Sequence, residues 1–383
     1  MNYSPVASAG KIMQVYPKNR AKFRIRFAVV PFFMVNMVAN MSLVCQEILL
    51  SPDELENEFP ALSIAHFRKT ACHILQKVDS RIAVLLGPCS IHNPKEAMEF
   101  GARVVALQKQ LTRFFLIMRV FFEKPRTRLG WKGLIYDPYL DGSNNLQEGL
   151  RSARKLLIDL NKLGVPCATE FLEPLIAPYL SDLITWGMIG ARTSASQPHR
   201  QLASGFDFPI GFKNGVYGEL EPALSGIVSA RMPHRYFSIH RNGKLAAAQS
   251  TGTIYGHLVL RGSEAGPNCS KESVDEVLQI LREHHLEERL AIDCSHGNSG
   301  KDPEKQKWAF ETVMEQIGAG NRAVRAVMLE SHLFPGKQPL GDEPENLLYG
   351  VSITDSCLGW EESEELLLRA EEGLVTSISS VQK

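Results

Sequence analysis

Three things are missing from this sequence, and each closes off a class of function. Net charge is the first: 42 lysines and arginines balance 42 aspartates and glutamates, whereas a nucleic-acid binder carries a basic excess. Paired-cysteine spacing is the second. The seven cysteines (Cys45, Cys72, Cys89, Cys167, Cys269, Cys294 and Cys357) are odd in number, scattered, and never arranged as CxxC. That pattern suits free thiols in a reducing compartment, most of them small buried hydrophobes. The third is an uninterrupted apolar span. Residues 27–45 are mostly apolar, but Pro31, Asn36 and Asn40 break them up, which makes a poor transmembrane helix. Together these absences predict a cytoplasmic protein with neither nucleic-acid nor membrane partners.

The neutral total hides an asymmetry. The first 46 residues hold Lys11, Lys18, Arg20, Lys22, Arg24 and Arg26 and no acid, which leaves 36 basic against 42 acidic residues in the body. Basic residues that cluster inside this acidic body are therefore local features. The basic-then-apolar lead over 1–45 reads as a targeting segment, as an upstream extension of a chain that starts at Met37 or Met41, or as a packing or oligomer arm. It is set apart from the fold, and 46–80 is expected to be a helical extension. Ser51 opens it as an N-cap with Glu54 three residues on, and 64–77 has apolar residues at helical spacing.

Within the body, residues 118–138, MRVFFEKPRTRLGWKGLIYDP, stand out. An apolar run turns into a loop with Arg119, Lys124, Arg126, Thr127, Arg128 and Lys132 around Pro125 and Gly130. Fixed positive charge, a hydroxyl and backbone-setting residues are what a phosphate-binding loop needs. A solvated surface loop would look similar on charge alone.

From residue 81 onward a pattern repeats. Short apolar runs at 82–86, 114–120, 167–171, 188–191, 209–212, 257–260, 290–294 and 323–329 alternate with amphipathic stretches at 94–110, 146–163, 174–186, 196–204, 219–230, 270–285, 303–317 and 361–372. Apolar rather than alternating strands, each followed by a helix, predict a parallel sheet buried on both faces. Eight such units in 81–383 predict an α/β fold closed as a (β/α)8 barrel. Residues 235–255, with Asn242-Gly243 near the middle, read as a β-hairpin inserted before the sixth barrel strand.

Active sites of such barrels lie at the C-terminal ends of the strands. Just past those ends stand Cys89, Arg119, Glu170, Ala191-Arg192, Lys213, Arg261, Asp293 and Ser295-His296, and Glu330 to His332. Arg119, Lys124, Arg192, Lys213 and Arg261 would converge on one mouth and repel unless a polyanion joined them, so a phosphorylated ligand is expected. Any one of them taken alone could equally be a structural ion pair. The same mouth offers Cys89, His296, Glu330 and Asp355, a thiol–imidazole–carboxylate set suited to one divalent ion such as Mn2+, Fe2+, Co2+ or Zn2+. Taken singly, Cys89 could be a buried thiol and His296 a core histidine. His92, His199 and His332 are weaker ligand candidates.

The stretches GPCSIHNP, MRVFFEKPRT, GWKGLIYDP, IGARTSASQPHR, GFKNG, LRG, DCSHGNS, MLESHL and SITDSCLGWE resemble the class I 3-deoxy-D-arabino-heptulosonate-7-phosphate (DAHP) synthases, in unbroken order over 51–362. The resemblance implies a (β/α)8 transferase that condenses phosphoenolpyruvate with erythrose 4-phosphate at the first step of the shikimate pathway to aromatic amino acids. It implies that Cys89, His296, Glu330 and Asp355 hold the metal, and that Arg119, Arg192, Lys213, Arg261 and the Ala191 backbone, beside Glu170, receive phosphoenolpyruvate. Lys124, Pro125, Arg126 and Thr127 would receive the sugar phosphate, with Lys124, His296 or Cys89 taking part in the chemistry. It also implies a homodimer or homotetramer and a phenylalanine or tyrosine effector. Ser238 matches the phenylalanine-responsive type. Asp207 stands where the family commonly has a small polar residue, which argues for altered control. A related synthase using arabinose 5-phosphate, and an inactive barrel acting as a metabolite sensor, are the other readings.

Overall fold

The computed structural model describes residues 47–126, 129–341 and 343–381. The basic lead over 1–45, together with Thr127 and Arg128, lies outside them. Leu49–Lys383 forms one compact unit. Its sheet is a closed barrel of eight parallel strands: β1 (Ile82–Gly87), β2 (Phe114–Arg119), β3 (Cys167–Glu170), β4 (Trp186–Ile189), β5 (Ile210–Lys213), β8 (Gly256–Leu260), β9 (Leu290–Asp293) and β10 (Val324–Glu330). β10 returns to pair with β1 in register, Gly87 opposite Glu330. Between the fifth and sixth barrel strands, β6 (Arg235–Ile239) and β7 (Leu245–Gln249) pair antiparallel.

The strands form where the sequence is apolar without alternation because both of their faces are covered. Alternate residues of one strand belong to different cores. Ile82, Val84 and Leu86 of β1 join the layer under the helices, whereas Ala83 and Leu85 join the barrel interior with Phe115, Ile117, Met188, Val259, Ala291 and Met328. The outer ring comprises α3 (Pro94–Gln108), α4 (Leu146–Leu163), the short α5 (Ala177–Leu180) and α6 (Gln197–Ala203), α7 (Glu221–Ala230), α8 (Lys271–Glu283), α10 (Pro303–Gly318) and α11 (Trp360–Val381), with the single turn α9 (His296–Ser299) at the mouth. Ahead of the barrel, α1 (Pro52–Glu58) carries the capping box of Ser51 with Glu54. Residues of α2 (Ala65–Leu75), namely Ala71, Ile74 and Leu75, belong to the barrel-interior cluster, so α2 stoppers the end away from the strand C-termini. Arg325 of β10 fastens it by donating to the Ile74, Asp79 and Arg81 carbonyls.

Most expected boundaries shift by a residue or two, and the last helix, expected over 361–372, extends over Trp360–Val381. The helix expected over 174–186 is a 3-10 turn, α5, and a second 3-10 turn that ends at Leu183. Pro174 and Pro178 remove two backbone donors from that stretch and prevent one continuous α-helix. Trp186 accordingly opens β4 two residues earlier than 188, and its side chain is fully buried.

One titratable group packed against the barrel strands is His257 of β8. His257 is buried, its Nδ1 lies 3.1 Å from the Tyr255 carbonyl, and its Nε2 has no partner. Burial pushes its pKa down to about 3, so the neutral ring is the folded form. A depressed pKa contributes stability that is fully present above the unfolded histidine value and lost as pH falls toward the folded one. His257→Asn, which keeps the donor but cannot titrate, should therefore flatten the acid limb. Between pH 6.5 and 4 its unfolding free energy in urea should fall less than that of the wild type, by roughly 1–3 kcal/mol. Parallel acid limbs would show that His257 is not the group responsible.

Candidate active site

The C-terminal ends of the strands surround a cavity of about 680 Å3. Arg119, Lys124, Pro125, Arg126, Glu170, Ala191, Arg192, Lys213, Arg261, His296, Glu330 and Asp355 all line it. The fold thus brings together the expected catalytic, substrate-binding and metal-ligating residues within the described ones, with Cys89 directly behind the wall. Lys301 and Glu264 line it too, giving seven basic residues against four acidic. Thr127 is outside the described residues. Asp207 and Ser238 are elsewhere. Asp207 pairs with Arg68 of α2 at 2.8 Å, and Ser238 sits on β6 opposite Ala246.

The basic residues were expected to stay unpaired until a ligand arrived. Two of them instead have buried partners. The Arg119 guanidinium, fully buried and stacked over Phe121 with 4.1 Å to the ring centroid, reaches Glu330 at 2.9 Å. Lys213 Nζ lies 2.7 Å from Glu170 Oε2 and 3.7 Å from Asp293 Oδ2. Burial alone would raise the Glu170 and Asp293 pKa values. Lys213 reverses this for Glu170, and His296 with Lys213 and Arg119 reverses it for Asp293, so both stay well within the ionised form. Charges this deep persist only when paired.

The loop after β2 is built to hold its charges still. The Lys124 N–H donates to the Lys132 carbonyl at 2.8 Å, Arg126 Nε to the Trp131 carbonyl at 2.7 Å, and the Trp131 indole to the Asp137 carbonyl at 2.9 Å. Glu123 Oε2 accepts from the Leu172 and Glu173 N–H groups, which tethers the loop to the segment after β3. Lys124 Nζ then reaches 3.0 Å from Cys89 Sγ. Burial works against its ammonium, but Cys89, Glu330 and Asp355 outweigh it and raise the pKa above the ordinary lysine value.

Cys89 Sγ, a Glu330 carboxylate oxygen and an Asp355 carboxylate oxygen lie within 4.8 Å of one another, and the thiol is 3.5 Å from Asp355 Oδ2. Burial, reinforced by Glu330, pushes the Cys89 thiol up to about 11. A thiol, two carboxylates and an adjacent cation-repelling ammonium form a group that a divalent ion would reorganise by displacing the thiol proton. His296 is not one of the three but points at them, its Nε2 3.9 Å from Glu330 Oε1. Its ring is fixed from behind: Nδ1 is 2.8 Å from Asp293 Oδ2 and 2.8 Å from Ser295 Oγ. A carboxylate behind an imidazole is the usual support for a ligating histidine. His296 also has φ of +53°, a conformation that costs a non-glycine residue energy and clusters at functional sites. Gly262, at φ +69°, lets the loop after β8 lie against this turn, since a Cβ there would come within 2.3 Å of the Asn298 nitrogen. The donor types present fit a borderline divalent ion.

Some supporting residues had no counterpart in the expected set. Gln306 of α10 bonds the Glu330 backbone at both its N–H and its carbonyl, and nothing in a helix-periodic stretch marks it. Lys301 also went unmarked. Asp293, noted at its strand end but given no role, supports both Lys213 and His296.

If the buried ion pairs hold the floor of the cavity, Lys213→Met should destabilise the ligand-free protein by about 3–5 kcal/mol in urea unfolding, since it strands Glu170 and Asp293. Adding Glu170→Gln should restore part of the loss. Additive losses in the double variant would refute the coupling.

The structure is similar, with a TM-score of 0.84 and 42% identity, to the solved phospho-2-dehydro-3-deoxyheptonate aldolase of Francisella tularensis, the match covering 87% of this chain and 98% of that one. A Thermotoga maritima enzyme of the same name matches at a TM-score of 0.52 and 20% identity over 78% of this chain and 70% of that one, a likeness of fold. In sequence the chain is 42% identical to the Tyr-sensitive phospho-2-dehydro-3-deoxyheptonate aldolase of Escherichia coli, over 86% of this chain and 94% of that protein. It is 46% identical to the Phe-sensitive one of the same organism, over 83% and 92%. A family model described as the DAHP synthetase I family matches residues 58–368.

Proposed function

This chain belongs to the DAHP synthetase I family, and we propose that it condenses phosphoenolpyruvate with erythrose 4-phosphate, releasing inorganic phosphate, at the first step of aromatic amino-acid biosynthesis. The observation that carries the reading is the joining of two chemistries in one cavity: a basic surface made of Arg119, Lys124, Arg126, Arg192, Lys213, Arg261 and Lys301, and the Cys89–Glu330–Asp355 donor group beside it. Two phosphorylated substrates account for the first and one divalent ion for the second.

Arg192, Lys213, Arg261 and Arg119, with the Ala191 backbone, hold the phosphate and carboxylate of phosphoenolpyruvate. Arg126 and Lys124, with Pro125 shaping the loop, receive erythrose 4-phosphate; Thr127 belongs to the same stretch. Cys89, His296, Glu330 and Asp355 would hold a divalent ion, which would supply Lewis-acid polarisation of the aldehyde oxygen. The fixed cations keep the enol phosphate against the aldehyde, which removes most of the entropic cost of bringing two reactants together. The enolpyruvate C3 attacks the aldehyde carbon. Lys124, held as an ammonium beside Cys89, gives a proton to the aldehyde oxygen as it becomes the new hydroxyl. The cation left at C2 is shielded by Glu170 and takes up water, whose proton passes to a cavity base. In the resulting hemiketal phosphate the C2 hydroxyl becomes the C2 carbonyl as phosphate leaves with the C2–O bonding pair and takes up the hydroxyl proton, and Arg192, Lys213 and Arg261 stabilise the departing charge.

Among the described residues no helix is long and apolar enough to cross a membrane, and the free buried thiols support action in the cytoplasm. Relatives named Tyr-, Phe- and Trp-sensitive support an aromatic amino-acid effector, with Asp207 and Ser238 as the regulatory candidates, in a homodimer or homotetramer.

The test is phosphate release from the two substrates with Mn2+. Chelator or Cys89→Ala should cut turnover at least about 1,000-fold, in line with the loss of a main catalytic element, and phenylalanine or tyrosine should report on control through Asp207. A folded, Mn2+-loaded protein that turns over arabinose 5-phosphate, or nothing, in place of erythrose 4-phosphate would sink the proposal.

A further inference from the structure

A second cluster of potential donors lies outside the cavity. His92, Glu96 and His332 are all buried, and their ligand atoms lie within 4.8 Å of one another. His92 Nε2 and His332 Nε2 each approach Glu96 Oε2 at 3.3 Å. The obvious assignment would be a second metal site, but the protons argue otherwise. His332 Nδ1 accepts the Leu333 N–H at 2.8 Å, which leaves an N–H at Nε2, facing Glu96. To ligate through Nε2 the ring would have to move that proton to Nδ1 and lose the Leu333 hydrogen bond. His92 makes no linear hydrogen bond at either nitrogen, and burial holds it neutral, its pKa pushed down to about 4. The cluster is a carboxylate between two imidazoles. Burial opposes that carboxylate's charge, but His332, His92 and the Gly350 backbone outweigh it and lower its pKa.

What matters is the chain to which these groups belong. His92 follows Cys89 by three residues, and His332 follows Glu330 by two. The Gly350 N–H that bonds Glu96 lies five residues ahead of Asp355. Each member of the compact donor group at the cavity therefore stands on a segment that touches Glu96 from behind. Glu96 is itself held on the first turn of α3: its Oε1 accepts from Asn93 Nδ2 at 3.0 Å, and Asn93 caps that helix.

We propose that Glu96 is a positioning residue: one buried carboxylate that sets the mutual spacing of the Cys89, Glu330 and Asp355 segments, and through them the affinity of the donor group for its divalent ion. The inference rests on the reading of those three residues as metal-holding. Charge on Glu96 draws His92 and His332 inward together. Without it the two rings meet only edge-on, 5.9 Å between centroids, and the Leu333 N–H alone would hold His332.

The experiment measures Mn2+ binding to the full chain for wild type, Glu96→Ala, Glu96→Gln and Cys89→Ala, with metal stoichiometry and the thiolate-to-Co2+ absorption band recorded in parallel. Glu96→Ala should weaken Mn2+ binding roughly 10-fold or more, the scale for groups that support ligands from behind, and should shift the Co2+ band. At saturating metal its KM for phosphoenolpyruvate should stay within about twofold, because the phosphate-binding cations are untouched. Glu96→Gln, which keeps the shape but not the charge, should fall between the two and carries the test if the alanine variant does not fold. Wild-type Mn2+ affinity and an unmoved Co2+ band in either foldable variant would overturn the proposal, as would a second metal ion per chain that disappears with Glu96. Failure of the underlying reading is separable, because Cys89→Ala would then bind Mn2+ as tightly as wild type.

Discussion

A guanidinium with no exposed surface cannot stand without an anion, and the pairing of Arg119 with Glu330 at 2.9 Å is the contact on which the mouth of this barrel depends. β2 ends at Arg119 and β10 at Glu330, and β1 lies between them in the sheet. Glu330 also belongs to the donor group with Cys89 and Asp355. One carboxylate therefore serves both the anion-binding floor and the cation-binding wall. Such pairs do little for stability, since desolvation offsets most of the attraction. Their use is geometric. A guanidinium fixed by a carboxylate, an aromatic face and a strand end has lost its freedom before any substrate arrives, so binding does not have to order it again.

The same logic accounts for a basic cavity in an acidic body. Pairing Lys213 with Glu170 and Asp293 neutralises the deepest charges and leaves the excess to residues nearer the opening, among them Arg126 and Lys301. Low-dielectric walls concentrate that field, which attracts polyanions and strengthens each contact once they are inside. The acid beneath also guards against over-tight holding. A phosphate set against fully unpaired arginines would bind in ground state and transition state alike, which lowers KM without accelerating the reaction.

How much of this was legible in the sequence follows from how local each signal is. The eight strands could be read because a doubly covered parallel strand is apolar at nearly every position, as β1 is, and the Ser51–Glu54 capping box marks the start of α1. The strand-end rule then found the cavity residues without coordinates. What could not be read is the pairing. That Arg119 meets Glu330 and Lys213 meets Glu170 depends on strand order and tilt, which join residues far apart in sequence, so a set of cations expected to be open proved half compensated. The same holds for Gln306, a polar residue on a helix whose buried face only the packed structure identifies, and for Glu96, whose meaning lies in two histidines 4 and 236 positions away. The Pro174–Leu183 stretch failed for the opposite reason: its prolines were visible, but apolar periodicity was allowed to outweigh them.

The placement of the regulatory candidates constrains how any control would work. Asp207 precedes β5 and Lys213 ends it, so the two stand at opposite ends of one strand, roughly 20 Å apart at about 3.3 Å per residue. Asp207 is tied to Arg68, whose guanidinium also donates to the Ser181 and Ile184 carbonyls and lies over Phe208. α2, which carries Arg68, stoppers the far end of the barrel. An effector bound beside Asp207 would therefore compete with an existing ion pair on the side opposite the chemistry. It could influence Lys213 only by choosing between two packings of α2 and β5, because a rigid strand transmits no graded signal and coupling requires differential affinity for two states. The Arg68–Asp207 pair stabilises one of those packings in the absence of any effector. Control exerted there would thus be a contest with that pair, its strength set by how much of an effector's binding energy went into breaking it.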